Sequence, residues 1–173
     1  MGMDVYGSNP KNPQGDYFRA NVWFWRPLWS YAVEMFPDLV GDDPEDGFFN
    51  SGYGLRDMDA ADLGEALLKS VADGTADEFR LKYYADLADL DREDCVWCDT
   101  TGIRTDDVGI KAGQHEKALE PEIASLVGRE FGWCNGCNGI GTRPHFLHNY
   151  PFEIEIVKEF GEFLVASGGF EIW

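Results

Sequence analysis

Apolar residues recur at helical spacing in several stretches of the chain. Leu28, Tyr31, Ala32 and Met35 share one face and Trp29, Val33 and Phe36 another. This predicts a helix covered on most sides, with Pro27 in its first turn and its end at Phe36, before Pro37. Leu63, Leu67 and the Ser70/Val71 positions mark a second helix, with Asp59 as its cap and Gly74 closing it. Thr75-Ala-Asp-Glu78 reads as a capping box for a third helix. There Phe79, Tyr83, Leu87 and Leu90 form an apolar stripe, while Asp77, Asp86 and Asp89 stay in water. The short connection makes these two an αα-hairpin. A brief helix is expected over residues 121–127, carrying Ile123, Leu126 and Val127. The clearest helix follows Pro151 and an Asn149 cap, buries Ile156, Val157, Phe160, Phe163 and Leu164, and stops at Gly168-Gly169.

Strand patterns are sparser. Met3-Asp-Val-Tyr6 suits a short strand, and Phe170-Glu-Ile-Trp173 alternates apolar and polar as a half-buried strand does. The second is expected to pair with residues 3–6 or with residues 22–24. Residues 7–15, with two prolines and two glycines, read as a surface loop without the phosphate-binding G-x-x-x-x-G-K-[ST] pattern. Residues 38–57 read as an irregular loop. Gly41-Asp-Asp-Pro-Glu-Asp-Gly47 within it lacks the alternating ligands and closing glutamate of a calcium-binding EF-hand.

Charge adds a second layer. The 173 residues carry a formal charge of −18, and its distribution is uneven. Residues 1–36 are balanced, with Asp4, Asp16 and Glu34 against Lys11, Arg19 and Arg26, whereas acids concentrate from Asp38 through Asp94. Such a surface repels a phosphate backbone, so direct nucleic-acid binding is disfavoured and a basic protein is the expected partner. The bland alternative is a solvated, solubilising face. No apolar stretch approaches the length of a membrane span and no charged-then-apolar leader is seen, so a cytoplasmic location is expected.

All four cysteines lie in two C-x-x-C pairs, Cys95-Val-Trp-Cys98-Asp-Thr-Thr-Gly102 and Cys134-Asn-Gly-Cys137-Asn-Gly-Ile-Gly141, with 35 residues between them. Two residues between cysteines let one tight turn supply two adjacent corners of a tetrahedron, the arrangement zinc favours. The glycines behind each pair let backbone N–H groups turn toward the sulfurs. Disulfides, a redox C-x-x-C, free core thiols and an iron–sulfur cluster are the competing readings. Disulfides need an oxidising compartment, a redox pair needs to open a helix in a βαβ setting, and the symmetric glycine-backed pairs suit zinc better than an iron–sulfur cluster. Cys95, Cys98, Cys134 and Cys137 are therefore the expected ligands of one structural zinc.

The second pair, C-x-x-C-x-G-x-G, resembles the repeat of the cysteine-rich zinc module of DnaJ-type chaperones. The first departs from it at Thr100, where that repeat has glycine, and keeps Gly102. Two repeats instead of four imply one zinc knuckle, and without a His-Pro-Asp tripeptide the likeness implies no co-chaperone role. Met1-Gly-Met-Asp-Val-Tyr-Gly7 and Ser167-Gly-Gly-Phe170 also look like a group of small proteins encoded by bacteria and their phages, which implies no particular activity.

The expected architecture is α+β: a single domain over residues 1–173, helix-rich with a small sheet, and a zinc-pinned segment at 94–143. Three classes of function follow. The first is a zinc-stabilised acidic interaction protein, such as a phage-type inhibitor of a basic nucleic-acid-acting or defence protein. The second is a binder of a small nucleotide-like ligand, using Trp23, Trp25, Arg26 and Trp29 in the aromatic N-terminal third, although large aromatics are as readily core. The third, a metal-dependent enzyme, has no supporting constellation. His145 and His148 lack the glutamate of H-E-x-x-H, no serine sits in a nucleophile elbow, and carboxylates are too many to single out a pair.

Overall fold

The computed structural model describes residues 2–173. In chain order its strands are β1 (Gly2–Gly7), β2 (Tyr17–Asn21), β3 (Gly54–Arg56), β4 (Glu93–Asp94), β5 (Thr142–Arg143) and β6 (Gly169–Ile172). Its helices are α1 (Val22–Met35), α2 (Asp57–Asp73), α3 (Thr75–Ala88), α4 (Asp107–Lys111), α5 (Pro121–Val127) and α6 (Ile154–Ser167). The fold is α+β. The chain forms two compact units, one from residues up to Ala88 together with Asn149–Trp173, the other Asp89–His148. The segment 94–143 lies inside the second. Among the described residues no helix is long and apolar enough to cross a membrane.

The larger unit is built on a four-stranded antiparallel sheet in the order β2-β1-β6-β3. Alternation dictates its two faces. Met3, Val5, Phe18, Ala20, Phe170 and Ile172 turn inward and are buried. α2 and α6 pack against each other through apolar stripes at helical spacing: Ala60, Leu63 and Leu67 on one, Val157, Phe160 and Leu164 on the other. Their backbones meet where side chains vanish. A Cβ on Gly64 would stand 2.8 Å from Gly161 O, and one on Gly161 would stand 3.1 Å from Gly64 O. The carbonyls at the end of α6, which have no partner within the helix, are taken up by the loop after β1: Asn9 N–H donates to Ser167 O and Lys11 N–H to Ala166 O.

Of the two pairings expected for the last strand, that with residues 3–6 is found, in the register Val5↔Ile172 and Tyr6↔Glu171. Residues 22–24 are helical. The Asn21 side chain accepts from Trp23 N and starts α1 five residues ahead of Pro27, which lies inside the helix instead of in its first turn. Three other starts also shift. α2 begins at Asp57, and α3 at Thr75, whose backbone N–H and hydroxyl both donate to the Asp73 carboxylate in place of a capping box. α6 begins at Ile154, with no side-chain cap.

Trp25 and Trp29 are fully buried, their rings stacked at 5.7 Å. Each indole N–H still needs an acceptor. Trp25 donates to Gly47 O at 2.8 Å and Trp29 to Pro44 O at 2.7 Å, so both ends of the 3-10 turn Pro44–Phe48 are fastened to α1. Tyr53 adds a third tie through its hydroxyl to Val40 O. The acid-rich stretch read as an irregular loop is thus a fixed surface.

Candidate metal centre

The smaller unit has little apolar core of its own. Its tightest buried cluster is Cys95, Cys98, Cys134 and Cys137, each no more than 5% exposed. Strands β4 and β5 pair immediately outside the cysteines, and Cys95 N–H donates to Gly141 O, bringing the first and last knuckle residues together. Glu93 reinforces this pairing. Its carboxylate lies 3.1 Å from Arg143 and accepts from Phe146 N, and these hold it below the usual range, the Phe146 bond foremost. Asp106 caps α4 through Gly109 N. The Arg104 guanidinium, then that bond, keep its carboxyl low.

The two C-x-x-C turns have the same local form. Gly102 N–H points at Cys98 Sγ and Gly141 N–H at Cys137 Sγ, both at 3.2 Å, while Gly136 N–H approaches Cys134 Sγ at 3.4 Å. The turns interlock: a Cβ on Gly102 would stand 2.2 Å from Gly139 O, and one on Gly141 would stand 2.2 Å from Thr100 O. Arg129 bonds the same Gly139 carbonyl at 2.6 Å. The backbone is left-handed at Asn138, Gly139 and Gly141 in one turn and at Asp99, Thr100 and Gly102 in the other. Thr100, which breaks the glycine pattern in sequence, is therefore held at φ +63°, where a β-branched residue is strained.

The four sulfurs lie within 4.8 Å of one another, with Cys95 Sγ 3.8 Å from Cys134 Sγ and Cys98 Sγ 3.7 Å from Cys137 Sγ. Burial pushes the Cys98 thiol up to about 12 and raises Cys134 as well. At Cys95 burial acts the same way, but the Trp97 N–H and the neighbouring thiols outweigh it and favour the thiolate. Four thiols buried this close together compete for the same few N–H donors. A divalent cation displaces the protons and meets the charge it creates, so this group can hold a metal ion. Among the described residues no histidine joins it: His145 faces Glu93 at 3.6 Å and His148 is exposed.

The aromatic N-terminal third divides. Trp25 and Trp29 belong to the core, so they line no exposed surface, while Trp23 and Arg26 stay at the surface beside Tyr150. The open face of the sheet, with Tyr6, Tyr17 and Trp173, was missed in sequence. The Tyr17-Phe-Arg-Ala-Asn21 alternation was the signal that could have revealed its edge strand. No family model, curated protein or solved structure matches the chain.

Proposed function

We propose that the ion is zinc and that the protein is a cytoplasmic, zinc-stabilised interaction protein whose acidic surface docks on a basic protein. Four sulfurs at about 2.3 Å from a central zinc form a tetrahedron with edges of about 3.8 Å. The S···S separations of 3.7 and 3.8 Å support that ion, and a set of four thiolates leaves no open position for catalysis. The observation that carries the partner reading is the fastened acidic stretch. Between Asp38 and Asp62 the chain has eight acids and one base, Arg56, and Trp25, Trp29 and Tyr53 hold much of it rigid. A preformed negative surface speeds and orients association with a positive one, and does so less as salt rises. An inhibitor of the phage kind, covering the DNA- or RNA-binding surface of a host protein, fits these properties.

Native mass spectrometry of the protein purified gently at low salt tests both parts. The expected result is the mass of one zinc, together with a bound basic protein that leaves as salt is raised and that nucleic acid displaces. Iron, or no metal with oxidised cysteines, would overturn the zinc assignment. A partner that stays bound irrespective of salt would overturn the electrostatic one.

A further inference from the structure

One face of the four-stranded sheet is covered by helices and the other is open. The alternation that buries Met3, Val5, Phe18 and Ile172 turns Asp4, Tyr6, Tyr17, Arg19, Glu171 and Trp173 outward. Three of the six are large aromatics, 49% exposed at Tyr6, 42% at Tyr17 and 55% at Trp173. Solitary exposed aromatics are ordinary on protein surfaces, but these belong to adjoining strands of one sheet. Tyr6 and Tyr17 are cross-strand partners with ring centroids 5.2 Å apart. Trp173 extends the pairing of β6 with β1, exchanging backbone bonds with Asp4 at 2.8 and 3.2 Å, and its ring lies over Gly52.

Carboxylates tether the rings. Tyr17 donates its hydroxyl to Asp4, and Trp173 Nε1 donates to Glu171 at 3.2 Å. Of the two bases on this side of the sheet, Arg19 lies 3.5 Å from Asp4 and is offset by it, and Arg56 stands at the far edge on β3. Among the described residues Glu171, opposite Tyr6, has no base within ion-pair distance. Electron-rich ring faces set beside carboxylates attract guanidinium and ammonium groups. They give a phosphate backbone nothing to bind, and the charge of −18 repels one.

We infer that this open sheet face, centred on Tyr6, Tyr17, Glu171 and Trp173, is the surface on which an arginine-bearing segment of the basic partner docks. The inference rests on the basic-partner reading above and adds the place and the chemistry of contact: guanidinium groups stack on the rings and pair with Glu171 and Asp4. Arginine suits this better than lysine, because its flat guanidinium both stacks and forms paired hydrogen bonds.

The test is amide-shift mapping by NMR on the full chain, with an alternating Arg-Gly octapeptide as the probe and Lys-Gly and Glu-Gly octapeptides beside it. Shifts are expected at residues 4–6, 17–19 and 171–173, with affinity in the order Arg-Gly, Lys-Gly, Glu-Gly. The doubly substituted Tyr6→Ala/Tyr17→Ala protein is expected to bind about tenfold more weakly, consistent with the loss of two ring contacts. A separate Glu171→Gln variant, which keeps all three rings, should narrow the preference for the basic peptides. Both are solvent-facing changes, and an unchanged spectrum elsewhere shows that the fold is kept. Shifts confined to residues 38–62 would overturn this face and leave the basic-partner reading standing. No shift with either basic peptide would overturn both. Concentration-dependent shifts at these amides in the protein alone would give the face to a second copy of the chain and overturn the inference.

Discussion

Thr100 shows what a single side chain does to the metal centre. The interlocked turns demand a left-handed backbone at that point, and its counterpart in the other turn is Gly139 at φ +88°. A residue with a Cβ loses about 1–2 kcal/mol in this conformation. Glycine would relieve that, while giving back about 0.5–1 kcal/mol through a more flexible unfolded chain. Thr100→Gly is therefore expected to stabilise the metal-loaded protein by roughly 0.5–1 kcal/mol. Slower loss of metal to a competing chelator would show it, and faster loss would mean that the Thr100 side chain does something else. Tyr53 offers a residue-scale test of the fastened acidic stretch. Burial, then the nearby Asp43 and Asp46 charges, push its phenol from 10.0 up to about 12. Because the folded-state value is the raised one, the stability it contributes is complete below pH 10 and drains away as pH climbs toward 12. Comparing urea midpoints of the wild type and Tyr53→Phe at pH 9 and pH 11 should show the wild type losing more over that interval. Equal losses would mean that Tyr53 ionises as freely folded as unfolded.

At the level of elements, the α2–α6 contact is where the larger unit is least tolerant. Gly64→Ala gains about 1 kcal/mol of helix propensity. The new methyl, however, would stand 2.8 Å from Gly161 O and 2.9 Å from Leu164 Cβ, and backbone cannot yield as a side-chain tip can. Overpacking costs about 1–3 kcal/mol, so a net loss of about 1 kcal/mol in urea unfolding is expected. A neutral or stabilising result would mean that the helices have room to part. The α2 and α6 stripes were plain in the sequence because amphipathic periodicity over four turns is a strong local signal, and the seven residues of α5 were readable from Pro121 and Gly128 at its ends. Other features escaped because their causes are not local. β3 is three residues long and exists because β6 lies beside it. The early start of α1 depends on one Asn21 bond outweighing the disruption at Pro27, which the burial of Trp25, Leu28, Trp29 and Tyr31 also offsets. The cysteine spacing foretold the cluster, whereas the fastening of the acidic stretch by indole N–H groups could be seen only once the carbonyls of Pro44 and Gly47 had a place.

Across the whole molecule, stability is divided by kind. The larger unit owns nearly all the buried apolar side chains, while the smaller leaves Val96, Leu126 and Phe131 more than half exposed. A unit of this size with so little apolar burial would draw much of its stability from a metal ion held by the four cysteines. Chelation is thus expected to accelerate amide hydrogen exchange throughout residues 89–148 and to spare the helices α2 and α6. Persistent protection of 89–148 in metal-free protein would show that the cysteines hold the unit unaided. The chain order of the two units has a consequence for how the protein is made. The smaller unit is made of 60 consecutive residues, so its cysteines could take up an ion as soon as they leave the ribosome. The sheet, by contrast, waits for β6 to fill the gap between β1 and β3, and α2 waits for α6. The larger unit is begun before the smaller one and completed after it, and until then the nascent chain carries the bare apolar flank of α2, a stretch for which a chaperone would compete.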